Sequence, residues 1–431
     1  QLIGRILRQP QAEKTGIPAL DECYVITHHA GTAEVVDAIK AGLEQDGLGD
    51  LVREIKTEAP GDRGTRLARP VKRRSSFERT EIYLPKVLWV TGEAVRELDY
   101  EQDLLYALDW SNVDPSPLVH GERAIPDNAQ AAESQLRRIR LSDTKDEPIA
   151  DEPAGRTTET LSFDPVHAVR MVSDIVPNPW VAREIVGRLL EGLSKRGFSD
   201  EKLGAVAGLI VEMLRDWLNT QRNAMAEAHF RAEVAAGRIQ FRLRTDGANW
   251  EMPAEAMTYE PEGADKLVGK AGDALEKSLF APIYKGDFSS QDERDVAVYL
   301  DGEAAVRWWH RNVARSNYSV QGWRREKVYP DLIFAVQHGE GRSRVAVLEM
   351  KGEHLKGNDK TTYVQELLRL MSDNYSFERV GGLELVGADG MDVVADLVLM
   401  GDWKTRLPNE FLSAPSDTAL TAADACVGSG A

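Results

Sequence analysis

Charged residues stand at matching positions around two apolar runs near residue 340. Asp331 directly precedes the run 332–336, and Glu349 and Lys351 lie at the end of a second run, beyond a glycine-containing segment. Runs rich in β-branched and apolar residues favour strands, and the glycines favour a hairpin turn between them. With the turn centred near Glu340, Asp331 lies directly across from Glu349, where cross-strand Cβ atoms are about 4.5–5.5 Å apart. The pattern therefore brings two carboxylates together.

The residues on this strand face have the chemistry of a metal-dependent hydrolase. Side chains alternate along a strand, so Lys351 joins Asp331 and Glu349 on one face. Two carboxylates suit Mg²⁺, with Mn²⁺ as a possible substitute, and a cation held there activates water for attack on a phosphate. The ammonium group of Lys351 can orient that water or stabilise the developing negative charge. The residues predict phosphodiester hydrolysis; the alternative is that Pro330-Asp331 only begins a turn and that Glu349 and Lys351 form a solvated edge-strand pair.

The same residues resemble the PD-(D/E)XK nuclease superfamily. The resemblance is carried by Pro330-Asp331 and by Glu349-Met350-Lys351, with Gly352 directly after. It implies an α/β fold in which a mixed sheet is flanked by helices. It also implies an acidic residue on a helix before the sheet, and a Lys or Gln on a helix after it.

The candidate for the acidic residue on the preceding helix is Glu293. It shares one helix face with Val296, Ala297 and Leu300 by spacing, so its carboxylate is expected to point inward at the end of an apolar stripe. In the alternative, Ser290 and Glu293 form a capping box and the glutamate only bonds the backbone at the start of the helix. The sequence leaves both interpretations open.

The helix after the strands is predicted to begin at Asn358 or Asp359, either of which can cap it. It carries Lys360 and Gln365. Because superfamily members often have a Lys or Gln on this helix that touches the site, Lys360 is the candidate for a contact with DNA.

The first ten residues form a second motif, in which Gln1, Arg5 and Arg8 fall on one face of a helix. Several donors on one face can converge on a single polyphosphate. The segment resembles motif VI of superfamily 2 helicases, and the resemblance implies that these three residues contact ATP held by a neighbouring RecA-like lobe. The alternative is an exposed basic helix with ordinary surface arginines.

The order of the two motifs resembles that of the restriction (Res) subunits of type III restriction-modification systems and related phage-defence helicases. The chain contains no G-x-x-x-x-G-K-[ST] phosphate-binding loop. We therefore expect it to be the C-terminal part of a longer helicase-nuclease, which hydrolyses ATP only together with the upstream helicase core of the same polypeptide. The resemblance also implies a methyltransferase subunit as a possible partner.

Basic residues before Asp331 predict contact with DNA, although the net charge of the chain is -17. The predicted DNA-binding residues of this segment are Arg307, Arg311, Arg315, Arg324, Arg325 and Lys327. Aromatic rings are interleaved with them, at Trp308, Trp309, Tyr318 and Trp323. Such rings can stack on unpaired bases. In the alternative, the rings belong to the core and the arginines form a solvated face.

Composition bounds the remaining possibilities. A chain of 431 residues is long enough for two to four domains, and its two cysteines provide neither a disulfide framework nor a zinc site. No apolar stretch is long enough to span a bilayer, so no membrane partner is expected and a reducing cytoplasm is the predicted location.

The sequence predicts five segments. They are the end of the second RecA-like lobe (1–56), a linker and mixed α/β segment (57–163), a helical spacer (164–262), the PD-(D/E)XK nuclease domain (263–412) and a disordered tail (413–431). The predicted function is that of a Mg²⁺-dependent DNA endonuclease attached to an ATP-driven translocase. Two alternatives stay open: a non-catalytic DNA-binding and subunit-docking module, and a repair exonuclease.

Overall fold

The computed structural model describes residues 69–121, 123–127, 162–244, 247–314, 316–338, 342–377 and 391–413. These residues form a mixed α/β protein that clusters into two units. The α/β unit comprises the described residues of Gln1–Leu98, Ala236–Gly322 and Glu326–Ala431, and the helical unit comprises those of Asp99–Ala235 and Trp323–Arg325. The α/β class predicted from the sequence is confirmed at this level.

The described strands are β1 Arg69–Lys72, β2 Tyr83–Leu84, β3 Val87–Thr91, β4 Ala94–Glu97, β5 Ile239–Leu243, β6 Trp250–Glu251, β7 Glu255–Thr258, β8 Val306–Arg311, β9 Leu332–His338, β10 Arg342–Lys351, β11 Tyr375–Phe377 and β12 Met391–Leu399. The described α-helices are α1 Ser116–Val119, α2 Pro165–Met171, α3 Pro179–Lys195, α4 Asp200–Ala205, α5 Ala207–Ala235, α6 Gln291–Gly302, α7 Asp359–Asn374 and α8 Trp403–Arg406. Short 3-10 or π-helical turns lie at Ser75–Phe77, Tyr100–Leu104, Leu105–Ala107, Lys285–Asp287, Glu353–Leu355 and Leu407–Phe411.

The sheet that carries the predicted acidic residues has the strand order β12-β10-β9-β8. Strand β9 pairs antiparallel with both β8 and β10, and β10 pairs parallel with β12. Helix α7 lies between β10 and β12 in the chain, as a crossover between parallel strands requires. Residues 344–350 of β10 are all buried, which explains why an inner strand has a nearly continuous apolar sequence.

Helices pack on this mixed sheet through faces that the sequence predicts. Helix α6 buries Glu293, Val296, Ala297 and Leu300, the four residues expected on one face. Helix α7 begins after Asn358, whose Oδ1 accepts the backbone N–H of Lys360 at 2.8 Å. The predicted inward face of α6 and the predicted cap of α7 are both confirmed.

The predicted domain boundaries differ from the two units. The segment 164–262 was expected to be helical, but helix α5 ends at Ala235, and β5, β6 and β7 follow. These strands pair with β3, β2 and β1, which lie about 150 to 190 residues earlier in the chain. Residues 236–262 therefore belong to the α/β unit, and 99–127, expected in a mixed linker, belong to the helical unit.

The helical unit is built on α3 and α5. Helix α3 starts at Pro179, with the side chain of Asn178 accepting backbone N–H groups of the first turn. Its buried residues pack with those of α5 in one apolar cluster, which includes Ile185, Leu189 and Leu214. No helix in the described part of the chain combines the length and apolar character needed to cross a membrane.

A buried histidine on β8 makes the stability of the α/β unit sensitive to pH. Burial lowers the pKa of His310 to about 3, although its Nε2 bonds Asn317 Oδ1 at 3.2 Å. The unfolded chain takes up a proton below about pH 6.5, whereas the folded chain does so only near pH 3, so stability falls as the pH drops through this window. We expect the free energy of unfolding to fall by about 2 kcal/mol between pH 7 and pH 5 because of His310.

The measurement is chemical denaturation of the wild type and His310→Gln at pH 7 and pH 5. The variant should lose less stability between the two pH values, because glutamine does not titrate. His354 is exposed in the same unit, so His354→Gln serves as the control and should keep the wild-type difference. An equal pH dependence in His310→Gln and the wild type would contradict the assignment.

Candidate active site

The hairpin of β9 and β10 has the register predicted from the sequence. Leu332 pairs with Leu348 at the end of the ladder, so Asp331 and Glu349 are the residues directly beyond the last pair. The backbone N–H of Asp331 donates to the carbonyl oxygen of Leu348 at 2.9 Å. The centre of the turn, Glu340, lies outside the described residues.

The carboxylate of Asp331 is held against the Glu349-Met350-Lys351 segment. Its Oδ2 accepts the backbone N–H of Met350 at 2.8 Å. Met350 lies between the other two candidate residues, so this bond fixes Asp331 beside both of them.

Glu349 is a buried acid with one paired and one unpaired oxygen. The side chain is 6% exposed, and its Oε1 lies 2.6 Å from the Nζ of Lys351, which is 27% exposed. Its Oε2 is buried and has no hydrogen-bond partner among the described residues. A buried polar atom without a partner costs free energy, so this oxygen is a place where a cation or a donor would be stabilised.

Glu293 combines features of a helix cap and of an inward-pointing acid. The hydroxyl of Ser290 accepts the backbone N–H of Glu293 at 3.1 Å, as in a helix cap. The Glu293 carboxylate, however, accepts the backbone N–H of Ser289 at 3.1 Å and the Ser289 hydroxyl, not the amide of Ser290. The side chain is 6% exposed. Glu293 therefore closes the start of α6 while its carboxylate stays inside the protein.

A narrow pocket joins Glu293 to Asp331. It is lined by Phe288, Glu293, Arg311, Asn312, Asp331 and Leu332. The structure thus brings together two predicted acidic residues and one predicted DNA-binding arginine. Arg311 is the last residue of β8, and its guanidinium lies 5.7 Å from the centre of the Phe288 ring.

Asn312 is a lining residue that sequence reasoning missed. It follows the last residue of β8 and is buried, and its backbone N–H donates to the carbonyl oxygen of Asp331 at 2.9 Å. An asparagine after a strand is ordinarily a turn residue, so its type gave no separate signal.

The donor set fits a divalent cation that takes few protein ligands. Within the part of the chain that the structure describes, no three His, Cys, Asp or Glu side chains cluster closely enough to hold a metal ion by themselves. Mg²⁺ commonly uses one or two carboxylates and completes its coordination with waters and substrate phosphate. Asp331 and the unpaired Oε2 of Glu349 match that requirement.

The predicted DNA-binding residues that the structure describes are divided between the two units. Arg307 is exposed on β8, Arg311 lines the pocket and Lys360 is half-buried in the first turn of α7. Arg324 and Arg325 belong to the helical unit, where Arg325 pairs with Glu101 at 2.6 Å. Lys327 pairs with Glu97 at 3.1 Å in the α/β unit, and Arg315 lies outside the described residues. Among the predicted DNA-binding residues that the structure describes, Arg311 lines the pocket with Glu293 and Asp331.

The aromatic rings are core residues, so of the two interpretations of these rings the one that places them in the core is confirmed. Trp308, Trp309, Tyr318 and Trp323 are each at most 3% exposed. The indole N–H of Trp309 donates to Asp301 at 2.8 Å, and Trp323 packs on Phe230 with ring centres 5.6 Å apart. Their apolar area stabilises the two units and is not available for stacking on bases.

The candidate ATP-binding residues Gln1, Arg5 and Arg8 lie outside the described residues, as do the other elements predicted for 1–56. Their assignment stays a prediction.

No protein-family model, curated protein or solved structure matches the chain.

Glu293 offers a direct test that separates catalysis from capping. Glu293→Gln should abolish most cleavage and leave the thermal midpoint nearly unchanged, because glutamine keeps an acceptor for the Ser289 amide. Ser290→Ala is the matched change at the same helix start and should cost about 1 kcal/mol of stability with cleavage retained. Plasmid cleavage with Mg²⁺ and thermal unfolding measure the two effects. Stability lost and cleavage kept in Glu293→Gln would mean that the residue is only a cap.

Proposed function

We propose that the α/β unit is a Mg²⁺-dependent DNA endonuclease of the PD-(D/E)XK type. The observation that carries the proposal is the buried Glu349, which has one oxygen on Lys351 and one without a partner, next to Met350, whose backbone N–H donates to Asp331. In a purely structural ion pair at this burial, both carboxylate oxygens ordinarily have hydrogen-bond partners. The arrangement is better suited to an incoming cation.

Each residue of the proposed site has a separate role. Asp331 and Glu349 would hold Mg²⁺, or Mn²⁺ in its place, and the cation when bound supplies charge that activates water and offsets charge on the phosphate. The ammonium group of Lys351 stands beside Glu349, where it can stabilise negative charge on the attacked phosphate. Glu293, which lines the pocket together with Asp331, would orient water. Arg311 can donate two parallel hydrogen bonds to a phosphate.

The wider proposal is that this nuclease works with an ATP-dependent helicase or translocase of the restriction or phage-defence type. It is supported by the likeness of Gln1, Arg5 and Arg8 to helicase motif VI, and by the order of the two motifs in the chain. In this proposal the chain acts in the cytoplasm with the helicase core of the same polypeptide, and a methyltransferase subunit is a candidate partner.

The test uses the chain with supercoiled circular DNA and linear DNA, with Mg²⁺, Mn²⁺ or EDTA, with and without ATP. An endonuclease converts the circle to nicked or linear product in Mg²⁺ and not in EDTA. Digestion of linear DNA alone would indicate the repair exonuclease. Binding of both DNAs without any cleavage would support the non-catalytic docking module and would contradict the proposal.

A further inference from the structure

Asn312 bonds the backbone on both sides of Asp331. Its Nδ2 donates to the carbonyl oxygens of Pro330 at 2.7 Å and of Tyr318 at 2.8 Å, and its Oδ1 accepts the N–H of Tyr318 at 3.0 Å. Its own backbone N–H donates to the carbonyl oxygen of Asp331 at 2.9 Å. The residue is 6% exposed, so all these bonds are shielded from water. The two peptide groups that flank the Asp331 side chain are therefore both attached to Asn312.

Tyr318, which Asn312 bonds on the side away from Asp331, is fixed in the core. Tyr318 is 1% exposed, and its hydroxyl donates to the carbonyl oxygen of Pro85 at 2.7 Å. Its ring packs edge-on against Trp250, with ring centres 5.4 Å apart. Asn312 consequently ties Asp331 to a segment that cannot move without opening the core.

We propose that Asn312 is a positioning residue that sets where the Asp331 carboxylate lies and thereby the affinity of the site for a divalent cation. This inference rests on the proposed function. Strand β10 holds Asp331 from one side, through Leu348 and Met350. Asn312 holds it from the β8 side, and metal ligands have to be kept within about 0.5 Å of their working geometry.

The test measures Mn²⁺ binding without DNA, by titration calorimetry, for the wild type and Asn312→Ala. The alanine removes the three side-chain bonds and leaves both proposed ligands in place. Loss of a group that orients a metal ligand typically weakens binding by about 10–100-fold. We expect a Kd for Mn²⁺ that rises by this factor, the same rise in the Mg²⁺ concentration for half-maximal cleavage, and recovery of most of the rate at saturating metal.

Asn249 provides a matched control in the same unit. Like that of Asn312, its side chain bonds the backbone: Oδ1 accepts the N–H of Arg244 at 2.8 Å, and Nδ2 donates to the carbonyl oxygen of Arg244 at 2.6 Å. Asn249→Ala should lose stability without any change in Mn²⁺ affinity. Where Asn312→Ala is too unstable to purify, Asn312→Ser keeps one donor and should show a smaller shift in the same direction.

The outcomes separate this inference from the proposed function. Weaker Mn²⁺ binding in the Asn312 variants, with Asn249→Ala unchanged, supports the positioning role. Wild-type affinity in the Asn312 variants, with binding lost in Asp331→Asn, overturns the positioning role and leaves the nuclease proposal standing. Equal Mn²⁺ binding by the wild type and Asp331→Asn overturns the nuclease proposal, and the positioning role with it.

Discussion

Asp331→Asn should leave the protein folded and remove its cleavage of DNA. The bond that holds the side chain is accepted by Oδ2 from the Met350 amide at 2.8 Å, and an asparagine oxygen can accept the same bond. The substitution removes one of the two charges proposed to face the metal. A direct ligand should matter more than a group that only orients one, so we expect Mg²⁺ and Mn²⁺ affinity to fall by at least about 100-fold, and cleavage with it.

Asp287→Asn is the matched control for this change. Asp287 is another carboxylate of the α/β unit that accepts a backbone amide, that of Tyr284 at 2.9 Å, and it does not line the pocket. Metal titration and plasmid cleavage should show a defect only for Asp331→Asn, whereas thermal unfolding should show that both variants stay folded. DNA binding in EDTA should be the same for both variants, because the proposed DNA contacts come from basic side chains. Cleavage at the wild-type rate by Asp331→Asn would place the active site elsewhere.

Local patterns in the sequence were enough to predict the hairpin and its acids. The symmetric spacing of Asp331 and Glu349 about Glu340 fixes a register, because a slip by one residue would turn every side chain to the other face of the sheet. The face of α6 was readable for a similar reason, since helical spacing sets Glu293 in line with Val296 and Leu300.

Features that depend on distant parts of the chain were not predictable in this way. Strands β5 to β7 pair with strands about 150 to 190 residues upstream, and no local pattern reveals such pairing. Arg325 and Lys327 look like free cations in the sequence, whereas the fold pairs them with Glu101 and Glu97. The burial of Trp309 likewise depends on a core cluster that includes Leu348 and Phe411 from distant elements.

Lys351→Met should produce a second large effect, on stability as well as on cleavage. The ammonium group is the cation paired with the buried Glu349, at 2.6 Å from Oε1, and the other carboxylate oxygen has no partner. Without Lys351 the metal-free protein holds a buried charge with no compensation, which we expect to cost roughly 3 kcal/mol. Cleavage at saturating Mg²⁺ should fall by about 100-fold or more, because charge on the attacked phosphate is no longer offset.

The pair Lys195 and Glu191 is the control for ordinary ion pairing, because its N–O distance is also 2.6 Å but both side chains are largely exposed. Lys195→Met should change stability little.

Metal binding should reverse the stability defect of Lys351→Met, and this reversal distinguishes a metal site from a structural ion pair. A cation beside the metal opposes its binding, so the affinity of the variant for Mn²⁺ should be equal to or higher than that of the wild type. Because Mn²⁺ then replaces the missing positive charge beside Glu349, it should raise the thermal midpoint of Lys351→Met more than that of the wild type. The double variant Glu349→Gln/Lys351→Met lacks the buried charge and should regain stability without responding to Mn²⁺. Mn²⁺ can stabilise Lys351→Met more than the wild type only if Glu349 is a metal ligand. Equal shifts of the thermal midpoint in all three proteins would therefore show that Glu349 and Lys351 stabilise the fold without holding a metal.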